Sequence, residues 1–250
     1  MKVFSETFKF GRFLLLAGAV SFSITSCNTD EPETPVDPAS NPPTPTFGVG
    51  YGVLAAVQTV TTIDPGYGLP IQEIVLGLGS GGFTDATDFS NLIDGGTVTL
   101  EGEELTRTDE NSYYSPISQT NPTGIEFNGN PTWEVSGSGS VPAFTHTTSI
   151  DFPTLGDITS STTIPGTGAY LLRVANVSGA DSVYYMLGGV VHIEPGTATF
   201  SVFLESEIDG MGTGATYAQV APYRFEVANK SGKDFYFVTE TVKTQSVTIE

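Results

Sequence analysis

Thr197-Ala-Thr-Phe-Ser-Val-Phe-Leu-Glu205 reads as a half-buried β-strand. Ala198, Phe200, Val202 and Leu204 fall on one side of an extended backbone. Thr197, Thr199, Ser201 and Glu205 fall on the other, with Phe203 the exception. Successive side chains of a strand point to opposite faces, so this alternation predicts an apolar face turned to a core. Runs of the same kind recur along the chain between Gly, Pro, Asn and Asp punctuation. They cover Tyr51–Thr61, Ile71–Gly77, Thr97–Glu101, Ser112–Ser115, Thr132–Gly137, Phe144–Ile150, Tyr170–Val177, Ser182–Leu187, Tyr217–Ala228, Asp234–Val242 and Gln245–Ile249. Only Asp85–Ile93 reads as a short helix, so the fold class is all-β and a βαβ fold is excluded.

Within this pattern the segment Tyr170-Leu-Leu-Arg-Val-Ala-Asn-Val-Ser-Gly-Ala-Asp181 echoes Tyr223-Arg-Phe-Glu-Val-Ala-Asn-Lys-Ser-Gly-Lys-Asp234. Both copies read as strand, Asn-x-Ser-Gly turn, strand, so two hairpins with one turn solution are expected. The layout expected from these signals is an Ig-like antiparallel β-sandwich over residues 153–250. A second, less regular all-β domain covers residues 47–152 and packs beside it. Pro153 and the Gly156-Asp157 turn mark the boundary; one larger sandwich is the competing layout.

The first 26 residues read as an address rather than as fold. Lys2, Lys9 and Arg12 precede the apolar run Phe13–Ile24, which is too short to span a bilayer of ~30 Å but suits a secretory signal peptide. Ile24-Thr-Ser-Cys27 follows and holds the one Cys of the chain. These four residues resemble the bacterial lipobox, which implies cleavage between Ser26 and Cys27 and diacylation of Cys27. Acyl chains contribute about 0.8 kcal/mol per buried methylene, so such a protein is anchored to a membrane rather than spanning it. Residues 27–46 carry six prolines with Asp30, Glu31, Glu33 and Asp37, and read as an acidic, Pro-rich disordered tether.

Charge then excludes a class of partner. The chain has 9 Lys+Arg against 28 Asp+Glu, a formal −19 that becomes −21 once residues 1–26, with three cations and one acid, are removed. A surface this acidic repels phosphate backbones, and nucleic acid is not an expected partner. A single Cys excludes an internal disulfide and CxxC-type zinc or redox sites.

Chemistry is sparse in the remainder. His146 and His192 sit in strand-like runs with no GxSxG or H-E-x-x-H motif beside them, and both read as structural. Gly77-Leu-Gly-Ser-Gly-Gly82 matches GxGxxG formally but precedes no helix, and reads as a glycine-rich β-loop. Ser136-Gly-Ser-Gly-Ser140 reads as a flexible or bulged strand segment. Glu205, Glu207 and Asp209 would share one face of a strand, a possible seed for Ca²⁺. Glu101, Glu103, Glu104, Asp109 and Glu110 form an acidic patch around Arg107. Trp133 and the pair Tyr113-Tyr114, and also Tyr184-Tyr185, would offer rings for sugar stacking if exposed. Asp181-Ser182-Val183 fits the short O-glycosylation pattern of Bacteroidota. No motif implies a cofactor or a metal.

Taken together, the lipobox, the acidic tether, Trp133-Glu-Val-Ser-Gly-Ser-Gly-Ser-Val-Pro-Ala-Phe144 and the closing Phe235–Ile249 segment resemble uncharacterised β-sandwich surface lipoproteins of Bacteroidota. The resemblance implies an outer-membrane lipoprotein at the cell surface, or facing the periplasm, with a protein or glycan ligand. A non-enzymatic role in adhesion, complex assembly or ligand capture is the leading expectation. A glycan-binding accessory lipoprotein of an outer-membrane uptake system and a hydrolase with a carboxylate-based site are the alternatives.

Overall fold

The computed structural model describes residues 51–63, 72–85, 89, 91–118 and 121–250. The segments read as signal peptide (1–26) and tether (27–46), with Ser26 and Cys27, lie outside the described residues. The first half supplies β1 (Gly52–Ile63), β2 (Gln72–Phe83), β3 (Val98–Leu100), β4 (Glu103–Glu104), β5 (Thr106–Arg107), β6 (Tyr113–Tyr114), β7 (Thr132–Val135) and β8 (Phe144–Thr147). The second half supplies β9 (Thr154–Leu155), β10 (Thr163–Ile164), β11 (Tyr170–Arg173), β12 (Val177–Ser178), β13 (Ser182–Leu187), β14 (Val190–Pro195) and β15 (Phe200–Phe203). The one-turn helix α1 (Glu205–Asp209) and the long strands β16 (Gly214–Lys230) and β17 (Lys233–Ile249) complete it.

The chain folds as an all-β sandwich built on one large sheet, in the order β14-β13-β16-β17-β1-β2-β6-β5, with β10 also on β17. Described strands on both sides of Pro153 therefore share a sheet, joined where β1 runs parallel to β17 from Gly52↔Phe235 to Val60↔Lys243. The pairing is antiparallel elsewhere in this sheet except between β10 and β17. Smaller sheets, β4-β3-β7-β8, β11-β15 and β12-β9, pack against it.

Central strands bury both faces, which explains the unbroken apolar run Val53-Leu-Ala-Ala-Val57. Leu54 and Ala56 join Phe235, Phe237, Leu100, Trp133 and Val135 in a cluster under β3 and β7. Val53, Ala55 and Val57 join Tyr223, Tyr236 and Val238 on the opposite face. At the far end, Leu172 and Phe203 pack with Val183, Tyr185, Val220 and Val247.

The structure differs from several of these expectations. The strand around Phe200 is turned over: Ser201 and Phe203 are buried, while Phe200, Val202 and Leu204 are exposed. Phe203, the exception in the sequence pattern, marks the true inner face. The alternation was also carried too far, because Glu205–Asp209 is helical rather than extended. The echoed segments do not fold alike. Lys230–Lys233 closes a two-residue hairpin with positive φ at Ser231 and Gly232. In the other copy the equivalent of Lys230 is Val177, which packs against the core and extends with Ser178 to pair with Thr154 and Leu155. The helix expected at Asp85–Ile93 lies partly outside the described residues, and Ile93 itself bridges Phe83 in extended form.

Gly77–Gly82 lies within the second half of β2 rather than in a loop. Gly77 bridges Gly124, and a Cβ on Gly77 would fall 1.8 Å from the carbonyl oxygen of Ile125. Two backbones meet there, and only glycine fits.

Candidate functional site

Two polar arrays and one open cleft concentrate the chemistry of the described residues. The cleft, about 640 Å³, lies between β5 and the turns at Asp94–Thr97 and Ser136–Ser138. Its fixed point is Asp94. Oδ1 of Asp94 accepts the Gly96 N–H at 2.8 Å. The Tyr113 hydroxyl accepts from the Gly95 N–H at 3.0 Å and donates toward Asp94 Oδ1 (3.1 Å) and the Gly96 carbonyl (2.9 Å). Arg107 Nη1 sits 2.8 Å from Asp94 Oδ2 and 3.3 Å from Asn111 Oδ1. The Gly96 amide, with help from Tyr113 and Arg107, outweighs burial and holds the Asp94 carboxyl below the usual carboxylate range. Glu104, Ser136 and Ser138 complete the polar rim.

One array holds His192. Its Nδ1 lies 3.0 Å from Ser201 Oγ and its Nε2 2.8 Å from Glu207 Oε1, while the Ser201 hydroxyl lies 2.8 Å from Glu194 Oε1 as a donor. The Glu207 carboxylate also accepts from the Leu204 N–H at 2.7 Å and so caps α1. The order Ser–His–Glu has the connectivity of a catalytic relay. Ser201 is only 2% exposed, however, its proton is directed at Glu194, and the imidazole lies flat on Phe203. The array thus ties β14, β15 and α1 together.

The second array ties β8 to β16. His146 Nε2 lies 2.5 Å from Glu226 Oε1, and Ser149 donates to Glu226 through both its amide and its hydroxyl. Burial pushes the Glu226 carboxyl up, but Ser149 and His146 outweigh it and hold it below the usual range. His146 also lies against Phe237, with ring centroids 4.0 Å apart and planes tilted by 39°.

The other expected site residues scatter. Trp133 is fully buried and its Nε1 finds no partner among the described residues, so it offers no platform for a sugar. Tyr113, Tyr184 and Tyr185 are buried as well, which leaves Tyr114 as the exposed ring of the two pairs. Glu205, Glu207 and Asp209 are spread around one helical turn, with Glu207 committed to His192. Among the described residues no group of three or more His, Cys, Asp or Glu side chains is placed to hold a metal ion. Ser182 of the short glycosylation pattern is buried in β13.

Glu104 and Arg107 form one patch in the sequence and the Ser136–Ser138 turn lies far from it, and the cleft brings the two together. Asp94 was missed; its one signal is the Asp94-Gly95-Gly96 turn chemistry. Glu240 was missed too. It is buried on the same face as Tyr223 and Val242, its Oε2 has no partner among the described residues, and burial pushes its carboxyl up to about 8.

What the fold defines is an all-β sandwich carrying a preorganised polar cleft. No protein-family model, curated protein or solved structure matches the chain.

Proposed function

We propose that this is a non-enzymatic, lipid-anchored capture protein of the outer membrane, tethered through Cys27 and displayed at the cell surface. The observation that carries the reading is the division of its polar groups. Both imidazoles and their carboxylate partners are consumed in structural joints, whereas the open cleft is lined by hydroxyls, the Asp94–Arg107 ion pair and the carboxylate of Glu104. Groups held this way suit recognition of a ligand by hydrogen bonding. The lipobox and the acidic tether support the anchored part of the reading.

Metabolic labelling with palmitate tests the anchor. The full chain expressed in a Gram-negative host takes up label and sediments with outer membranes, and Cys27→Ala does neither. Labelling that survives Cys27→Ala, or a soluble unlabelled wild type, contradicts the anchor.

A second reading, ester or amide hydrolysis at Ser201, is favoured by one observation, the Ser201–His192–Glu207 connectivity. It requires Ser201 to be reachable, against its burial.

A further inference from the structure

We infer that the Asp94–Arg107 cleft binds a neutral saccharide through hydrogen bonds from Arg107 and Ser136 and to Glu104. The inference rests on the reading of the chain as a capture protein and gives its ligand a chemical class.

Charge decides first. Asp94, Arg107 and Glu104 sum to −1 inside a chain of formal charge −19, so an anionic ligand meets net repulsion in the cleft and around it. A cationic ligand finds one uncommitted carboxylate, Glu104, because Asp94 already carries Gly96, Tyr113 and Arg107. A neutral polyol fits the remaining inventory better. With Nη1 of Arg107 directed at Asp94 and Asn111, the Nη2 and Nε donors are left to serve ligand oxygens. Ser136 Oγ accepts the Thr97 N–H at 2.7 Å, so its own proton is left to donate. Glu104 supplies the acceptor. Guanidinium donors beside carboxylate acceptors match the alternating acceptor and donor roles of neighbouring sugar hydroxyls.

Preorganisation comes next. Asp94 fixes Arg107, and Asp94 is itself fixed by a buried tyrosine and a turn amide, so little side-chain ordering remains for the ligand to impose. The volume of about 640 Å³ lies inside the range of small-ligand sites. A second groove of about 380 Å³ has Thr97 and Ser136 in its lining as well. Recognition is by hydrogen bonds, since Tyr113, the aromatic residue in the cleft lining, is buried.

The test is a glycan array followed by calorimetric titration of the best neutral oligosaccharide, using the full-length acylated protein in a sugar-free detergent. Sulfated and uronic-acid glycans form the anionic arm, and glucosamine oligomers the cationic one. At least one neutral oligosaccharide binds, and Glu104→Gln and Arg107→Gln each weaken its Kd tenfold or more while leaving the thermal melt in place. Ser136→Ala serves as a milder second variant, with a loss of threefold or more. The inference is overturned if no neutral glycan binds, if only charged glycans bind, or if neutral binding is untouched in all three variants. Palmitate incorporation at Cys27 is read on the same samples. Retained acylation with no neutral binding removes the saccharide and leaves the anchored reading standing.

Discussion

The imidazole of His192 lies flat on the ring of Phe203, with centroids 4.4 Å apart and planes 9° apart. The stack fixes the ring so that its two nitrogens meet Ser201 and Glu207 at once. It also explains why β15 turns Phe203 inward. An aromatic ring and a satisfied hydroxyl close the core there, while Arg173 covers part of the outward Phe200 at 5.2 Å.

His192→Ala removes the stack and both hydrogen bonds, and leaves Glu207 and Ser201 without their partner. The expected cost is roughly 2–4 kcal/mol. Ser201→Ala loses less, about 1 kcal/mol. Urea unfolding at pH 7 measures both. Two losses under about 0.5 kcal/mol, the level of an ordinary surface substitution, would exclude a structural joint.

The orientation of β15 makes a second prediction, opposite to the sequence pattern. Phe203→Ala costs about 3–5 kcal/mol as a fully buried ring. Val202→Ala, at an exposed position, stays within about 0.5–1 kcal/mol. Reversed magnitudes would restore the orientation that the alternation predicted.

Glu240 gives stability a pH dependence of defined sign. Its carboxyl titrates near 4.3 when unfolded and near 8 when folded. Between those values the native state holds a proton that the unfolded chain has released, so stability falls as pH rises and levels off above about 8. The slope in that window is on the order of 1 kcal/mol per pH unit. Asp94 and Glu226, both held low, act in the opposite sense and lose stabilisation only on acidification. Glu240→Gln therefore raises the urea midpoint at pH 8 and flattens the decline between pH 5 and 8. Parallel wild-type and variant profiles would show that the buried carboxyl is not the source.

Backbone contact at Gly77 predicts a cost of roughly 2–3 kcal/mol for Gly77→Ala, because a Cβ would collide with the Ile125 carbonyl. Gly210 offers the contrast. Its φ of −65° is helical and its nearest neighbour to a Cβ is 3.5 Å away, so Gly210→Ala is neutral or stabilises by up to about 1 kcal/mol. A thermal melt clearly lowered by Gly77→Ala and unchanged or raised by Gly210→Ala is the expected outcome.

The sandwich was legible because Thr, Val and Tyr runs broken by turn residues leave little else for the chain to form. Tyr51–Thr61 read as a strand, and the structure adds that Val53–Val57 within it is buried on both faces. The parallel seam of β1 with β17 was not legible, since pairing partners some 180 residues apart leave no local mark. At β15 the pattern misled: Phe200, Val202 and Leu204 look like a core face, and only Phe203, out of phase, carried the correct one. The Asn-x-Ser-Gly echo has two fates, and at the position between Asn and Ser the copies differ as Val177, packed on the core, against Lys230, at the hairpin turn. The cleft was half visible as Arg107 among acids, but its organiser Asp94 lies in a glycine turn that sequence spacing does not connect to Tyr113.

Whether the polar groups of this protein bind or react is read most directly by intact-mass spectrometry of the full chain after incubation with a fluorophosphonate probe. With Ser201 buried and its proton held by Glu194, the chain is recovered at its starting mass. An adduct mapped to Ser201 would contradict a capture protein and establish a hydrolase in its place.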